Sequence, residues 1–519
     1  MVVSRKQSII FVAFILALAS LLALLRFGDA KNDATPSPTP TRTPLPVATG
    51  KLASFYNQSL KWTSCKDGFD CATLTVPLDY SNPMADSITL NIVRHKALKA
   101  SRGALVVNPG GPGGSGIEYA RAIDYIMSPE LINRFDVVGF DPRGVGSSTP
   151  VHCLSDKELD DYINSDQSPN NQSEIDDYVK VSKQLGDGCA SKSPRIYRFM
   201  DTVSAARDID ILRSALGEAK LNWFGKSYGT FLGATYADLF PTKVGRMMLD
   251  GAIDPTLSNE QLSYGQALGF ENALKRFVSD CSKQSDCPLD SGISGIRQIA
   301  TMLDELDTKP VLLTNGRVVS QSLALIGVLG DLYDKNYGWP DLRGALTDAL
   351  QGDFTALATS ADFYITRDKD GHYTDNSNEA IAAVNCLDRP DRATVEQTLA
   401  LAKNWKKAAP VFGEPLAWGN LGCTYWPSPA TGSPTRITAA GSPLIVVVGT
   451  VHDPATPYQW AQALTNQLSN GVLLTFNGDG HTAYFQGSTC VDDYIDQYFL
   501  TGKADPGITC EPDQPTSSD

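Results

Sequence analysis

The chain has 519 residues, 42% hydrophobic and 20% charged, an ordinary globular balance with length for one large enzyme carrying insertions or for a few domains. Its formal net charge of −14 argues against a nucleic-acid binder, because neutralising phosphates needs Lys/Arg-rich faces. Five histidines (His95, His152, His372, His452, His481), none at ligand spacing from another, and no Cys-x-x-Cys argue against a metal centre, so neither metal nor organic cofactor is expected.

At the N-terminus, Arg5 and Lys6 precede an apolar run from Ile9 to Leu25 that Arg26 closes. A basic start followed by such a run is an export signal, read over residues 1–30 either as a cleaved peptide or as a retained anchor. Residues 31–50 form a linker in which Pro36, Pro38, Pro40, Pro44 and Pro46 alternate with Thr and Ser, a composition that stays extended and packs no core. The membrane is expected to be touched only through this N-terminal part, and the folded part to work outside the cytoplasm, secreted or tethered to the envelope. The ten cysteines agree with export. In chain order they form five local couples, Cys65/Cys71, Cys153/Cys189, Cys281/Cys287, Cys386/Cys423 and Cys490/Cys510, among roughly nine hundred possible pairings.

From about Ser101, short apolar runs alternate with Gly-rich turns and helical patterns. Ala104–Val107 leads into Asn108-Pro-Gly-Gly-Pro-Gly-Gly-Ser-Gly116, and 135–140 into Asp141-Pro-Arg-Gly-Val-Gly-Ser-Ser148. Leu221–Phe224 leads into Gly225-Lys-Ser-Tyr-Gly229, and Met247–Leu249 into Asp250-Gly-Ala-Ile-Asp254. Strands alternating with helices predict an α/β fold with a mostly parallel sheet covered on both faces. The rhythm stops from about Pro255 to Thr435, where 261–282, 323–333 and 393–407 read as helices, and resumes at Pro443–Gly449 and Val472–Phe476. The expected organisation is a core over 51–255 and 436–519, with a mainly helical cap over 256–435 inserted between the strand carrying Leu249 and the strand carrying Val447. The tail after Cys510 reads as loose.

Gly225-Lys226-Ser227-Tyr228-Gly229 fits the Gly-x-Ser-x-Gly elbow, in which a nucleophilic serine occupies a tight strand-to-helix turn and small flanking residues allow close approach. A serine needs a base to take its proton and a carboxylate to fix that base's tautomer, in the chain order Ser, acid, His. His481, in Gly478-Asp-Gly-His481, and Asp453, in Gly449-Thr-Val-His-Asp453, both follow predicted strands and complete a candidate triad with Ser227. Asp479 reads as a turn former and His452 as a loop residue. The oxyanion needs two backbone donors, expected from Tyr228 and from Gly110 or Gly111 in the glycine-rich turn. That turn is no phosphate loop, because Ile117 follows Gly116 where Gly-Lys-[Ser/Thr] is required.

The glycine-rich turn, the Asp141-Pro-Arg-Gly-Val-Gly-Ser segment and the Gly-Lys-Ser-Tyr-Gly elbow together resemble the prolyl- and tripeptidyl-aminopeptidase family of α/β-hydrolases, most closely its exported bacterial tripeptidyl-aminopeptidase branch. The likeness runs over roughly Leu52 to Cys510. Pro109 stands where prolyl aminopeptidases usually have His, a departure that speaks against strict proline specificity. The resemblance implies a serine exopeptidase that acts on peptides with a free N-terminus and anchors the amine through acidic cap residues. Glu379 and Asp388, in Glu379-Ala-Ile-Ala-Ala-Val-Asn-Cys-Leu-Asp388, match a family segment near the end of the cap and are the candidates for that anchor, with solvated helix charges as the competing reading. Arg143 is expected to brace the glycine turn. An extracellular esterase or lipase with the same triad, and a non-catalytic surface module, are the alternatives. An acidic inner face of the cap favours peptides and a uniformly apolar one favours lipids. Oligomeric state is not readable.

Overall fold

The computed structural model describes residues 45–514. The Ile9–Leu25 segment, with its expected role as signal or anchor, and nearly all of the Pro/Thr-rich linker lie outside the described residues. Among those described, no helix is long and apolar enough to cross a membrane.

The described residues form twelve strands: β1 (Thr63–Ser64), β2 (Asp70–Pro77), β3 (Ser87–His95), β4 (Ala104–Asn108), β5 (Asp136–Phe140), β6 (Leu221–Lys226), β7 (Val244–Asp250), β8 (Val311–Leu312), β9 (Val318–Val319), β10 (Ile445–His452), β11 (Gly471–Asp479) and β12 (Ile508–Cys510). Ten make one sheet in the order β1-β2-β3-β5-β4-β6-β7-β10-β11-β12, while β8 and β9 pair with each other. From β5 to β12 every neighbouring pair is parallel, and β1, β2 and β3 join antiparallel at one edge. The central strands are buried on both faces because alternate residues feed opposite cores. Val106, Trp223, Met247 and Val447 pack on one side, and Val107, Phe224, Met248 and Val448 on the other. The antiparallel edge is half solvated, with Ala72, Leu74 and Val76 buried and Thr73 and Thr75 exposed along β2.

A mainly helical cap leaves the sheet after β7 and returns at β10, as its loss of strand rhythm implies. Helices Asn259–Cys281, Gln321–Asp331 and Val395–Ala408 lie within two residues of their predicted spans. The cap is not built from that insertion alone. Leu159 and Ile163, from helix Asp156–Ile163 after β5, enter its apolar core beside Phe270, Phe277 and Leu346. Conversely, helix Ser377–Asp388 places Ala380, Ala383 and Leu387 in the sheet-side core with Tyr228 and Leu232.

All five local cysteine couples are disulfides. The chain just past Cys510 is not loose. Asp513 Oδ2 accepts from the Thr489 N–H at 3.0 Å and the Thr489 hydroxyl at 2.7 Å, and the Glu511 carbonyl accepts from Ser488 Oγ at 2.7 Å.

Candidate active site

Strand β6 ends at Lys226 and helix Tyr228–Leu239 starts two residues later, so Ser227 alone makes the turn. It does so at φ 54°, a backbone region that a side chain normally avoids and that carries a strain of about 1–3 kcal/mol. Hydrogen bonds over-determine the turn. Ser227 N donates to the Asp250 carbonyl at 2.8 Å, and the Ser227 carbonyl accepts from Thr230 N at 2.8 Å and Thr230 Oγ1 at 2.6 Å. The flanking glycines are required by space. A Cβ on Gly225 would collide with the Gly229 carbonyl, and one on Gly229 would sit 2.8 Å from Asn108 Oδ1.

The other two sequence-predicted members arrive from the ends of β10 and β11. His481 Nδ1 lies 2.9 and 3.0 Å from the Asp453 carboxylate oxygens. That carboxylate is fully buried and also accepts from the N–H groups of Ala455 (2.9 Å), Thr456 (2.8 Å) and Thr482 (3.1 Å) and from the Thr456 hydroxyl (2.9 Å). A carboxylate oxygen facing Nδ1 is an acceptor, which keeps the imidazole proton on that nitrogen. His481 Nε2 is buried and has no partner among the described residues, leaving it free to accept a proton. The ring lies against Gly251, where a Cβ would be 3.2 Å from Cε1, and Gly251 follows the Asp250 whose carbonyl receives the Ser227 N–H.

Two supporting residues escaped the sequence reading. Asp250 accepts from Ala483 N at 2.9 Å and Tyr484 N at 3.0 Å, and Lys226 Nζ donates to the Tyr484 carbonyl at 2.7 Å. Parallel register sets Lys226 beside Asp250, their charged ends 3.9 Å apart. Burial raises the aspartate's pKa and lowers that of the lysine, pressing both toward neutral forms. Together they hold the backbone immediately after His481. Their signal in the sequence was only that Lys226 falls inside the elbow.

The glycine-rich turn packs onto the same point. A Cβ on Gly110 would lie 2.7 Å from the Lys226 carbonyl and 2.9 Å from Tyr228 N. The Gly110 N–H is committed to Asn108 Oδ1 at 3.1 Å. Arg143 does not brace this turn, contrary to expectation. Its guanidinium is buried, chelates Asp208 at 2.6 and 2.7 Å and reaches the carbonyls of Pro77, Leu78 and Phe199. The brace is Asp141, which accepts from Ser115 Oγ at 2.5 Å and from the Ser147 hydroxyl and N–H at 2.8 Å.

Under the cap lies a cavity of about 420 Å³ bordered by Gly111, Pro112 and Tyr228. A larger one, about 770 Å³, opens beside Ser115, Asp141 and His152. Proximity to the elbow makes the smaller cavity the relevant one. Its polar side chains include the carboxamides of Gln167, Asn259, Gln266, Asn385 and Asn420 beside serine and tyrosine hydroxyls, with Arg389 as the cation, and its walls hold no carboxylate among the described residues. Neither proposed amine anchor therefore faces it. Glu379 Oε1 accepts from the N–H groups of Cys153 and Leu154, both at 2.7 Å, and Asp388 accepts from Thr202 N at 2.7 Å and Thr202 Oγ1 at 2.6 Å. Both carboxyls are buried against backbone donors, and burial pushes Asp388 up to about 6. The solvated-charge reading fails for the same reason.

Two further readings need correction. Asp479 is no turn former but the last residue of β11, ion-paired with Arg276 on a cap helix and with Lys335 Nζ at 2.8 Å. Burial raises its pKa, but the bonds from Arg276 and Lys335 outweigh that and hold it below the usual carboxylate value. His452 is the last residue of β10, register partner of Asp479, rather than a loop residue. The cap also touches His481 directly: the Tyr333 carbonyl accepts its backbone N–H at 2.8 Å, and the two rings meet edge to face.

Comparison with known proteins agrees with this arrangement. Residues 103–294 match the model of the alpha/beta hydrolase fold, and residues 409–510 that of TAP-like proteins. The chain is 36% identical over 476 residues to serine protease Hip1 of Mycobacterium tuberculosis, covering 87% of this chain and 91% of that one. It is 36% identical over 471 residues to carboxylesterase B of the same organism (87% and 90%), and 30% identical over 471 residues to tripeptidyl aminopeptidase of Streptomyces lividans (87% of each). On this extent of likeness, the chain belongs to the tripeptidyl-aminopeptidase-type branch of the α/β-hydrolase family and is a serine hydrolase.

Proposed function

We propose that this protein is an exported serine exopeptidase that releases short N-terminal units, tripeptides foremost, from peptides through an acyl-enzyme. In this reading His481 Nε2 takes the Ser227 proton, the Ser227 oxygen attacks the peptide carbonyl, and Asp453 stabilises the imidazolium. The protonated imidazole then gives its proton to the departing amine, and water attacks the acyl-enzyme by the reverse route. The oxyanion is received by the N–H groups of Gly111 and Tyr228. Gly110 is left out of this pair because its N–H already bonds Asn108. Names borne by the relatives, serine protease and tripeptidyl aminopeptidase, support a peptidase. The N-terminal basic-then-apolar segment and five disulfides support export.

The observation that carries a peptide over a lipid is the cavity wall. Asn259, Gln266 and Asn420 spend their amide N–H groups on the carbonyls of Asn385, Ala455 and Leu416, but the side chains of Gln167 and Asn385 can donate to and accept from a peptide backbone, which an acyl chain cannot answer. The acidic wall that an amine anchor needs is not what supports this reading. The name carboxylesterase B on an equally similar relative keeps ester hydrolysis as the second reading.

The test compares a tripeptide anilide with a free N-terminus, its acetylated form and a short acyl ester. Cleavage of the free peptide above the other two is expected, with a loss of at least about 10⁴-fold in turnover for Ser227→Ala. Activity confined to the ester would move the assignment to esterase, and equal cleavage of the acetylated peptide would remove the exopeptidase restriction.

A further inference from the structure

Arg389 follows helix Ser377–Asp388 and is only 3% exposed, yet it borders the cavity beside Tyr228 and Phe231. Its Nε donates to the Leu257 carbonyl at 3.0 Å, and its guanidinium carbon lies 5.1 Å from the centre of the Phe231 ring. Among the described residues no carboxylate makes an ion pair with it. The nearest in sequence, Asp388, commits both oxygens to Thr202, and Asp391 Oδ2 lies towards the N–H of Glu260 at 3.4 Å. The other buried arginines of this protein are treated differently: Arg143 chelates Asp208, Arg213 pairs with Asp210 and Arg317 with Asp160 and Asp362. A guanidinium buried with its outer nitrogens unengaged is unfavourable unless an anion completes it. Two buried polar atoms without a partner border the same cavity, Ser182 Oγ and Trp426 Nε1. The wall is thus rich in donors and free of carboxylates.

We infer that Arg389 is a specificity-determining residue that binds a carboxylate of the substrate through its two outer nitrogens, its Nε being held by the Leu257 carbonyl. This rests on the peptidase reading of the same site. The carboxylate has two possible sources, an Asp or Glu side chain on the residue that supplies the scissile carbonyl, or the C-terminal carboxylate of a short peptide.

Matched substrates separate the sources: tripeptide anilides ending in Glu or in Gln, and a tetrapeptide as free acid or as amide. A third pair, the p-nitrophenyl esters of glutaric acid (half-ester) and of butyric acid, needs no peptidase activity. Wild-type enzyme is expected to favour the anionic member of at least one pair by roughly 10- to 100-fold in kcat/KM, chiefly through KM. In Arg389→Met that ratio should fall towards one, and Arg389→Lys should restore part of it. Labelling of Ser227 by an uncharged fluorophosphonate reports whether each variant is folded. Where Arg389→Met is not labelled, the wild-type ratios and Arg389→Lys decide. No anionic preference in any pair, or a preference that survives in Arg389→Met, overturns the inference. Peptides left uncleaved while the esters are hydrolysed would instead overturn the peptidase reading, and the ester pair would still judge Arg389.

Discussion

Ser227 is held in a strained turn while its neighbours in the elbow satisfy ordinary hydrogen bonds, so within the elbow the strain falls on this residue alone. The buried carboxylates around it differ in their surroundings, and those surroundings set their roles. Asp453 accepts three backbone N–H groups, the Thr456 hydroxyl and an imidazole, whereas Asp388 is buried with Thr202 as its donor and rises to about 6. A carboxyl that titrates near 6 when folded and near 3.8 when unfolded keeps a proton in the native state that the unfolded chain has lost. Its contribution to stability therefore falls as pH rises from about 4 to 6 and is at its lowest above that window. Asp388→Asn does not titrate. Measured by denaturation at pH 4 and pH 7, its stability relative to wild type is expected to shift in its favour by about 2 kcal/mol between the two. A difference independent of pH would mean that Asp388 titrates alike in the folded and the unfolded chain.

At the scale of elements, the site depends on segments distant in sequence being held together. The Cys386–Cys423 bridge ties helix Ser377–Asp388 to the turn Asn420–Tyr425, and both cysteines border the cavity. Opening a loop of 37 residues removes up to about 4 kcal/mol in the chain-entropy account. The double variant Cys386→Ser/Cys423→Ser is expected to melt several degrees lower and to raise KM more than it lowers kcat. An unchanged melting temperature would show that packing alone holds the helix. Register is the other positioning device. β6 against β7 sets Lys226 beside Asp250, and β10 against β11 sets His452 beside Asp479. Neither pairing can be read from the chain, because the partners are 24 and 27 residues apart and a one-residue slip would separate them.

Across the whole molecule, cap and core meet at His481, the proposed base. Asp479, at the end of a core strand, receives Arg276 and Lys335 from the cap, and the Tyr333 carbonyl holds the His481 N–H. Asp479→Asn would leave two cap cations facing each other without their anion, a loss of about 3–5 kcal/mol for a buried partner and less here because both cations are about half exposed. The expected outcome is faster limited proteolysis within 256–435 and a lower melting temperature, with labelling of Ser227 by a small fluorophosphonate retained. Unaltered proteolysis would show that the apolar cap core, not this cluster, governs closure.

The parallel sheet, the elbow, the Asp and His after later strands and the five cysteine couples were legible in the sequence because each has a local signature: a doubly buried apolar run, a glycine-flanked serine, a strand end, a short spacing. The antiparallel edge was present as the Thr/apolar alternation of 72–76, but a half-buried strand gives a weaker signal than a fully apolar one. Tertiary structure alone decided what the charged residues do. Arg143, Glu379, Asp388 and Asp479 have ordinary neighbours in sequence, and their partners lie between 56 and more than 200 residues away. A charge takes its role from whatever the fold brings within hydrogen-bond reach, whereas an apolar run or a tight turn is shaped by its own neighbours in the chain.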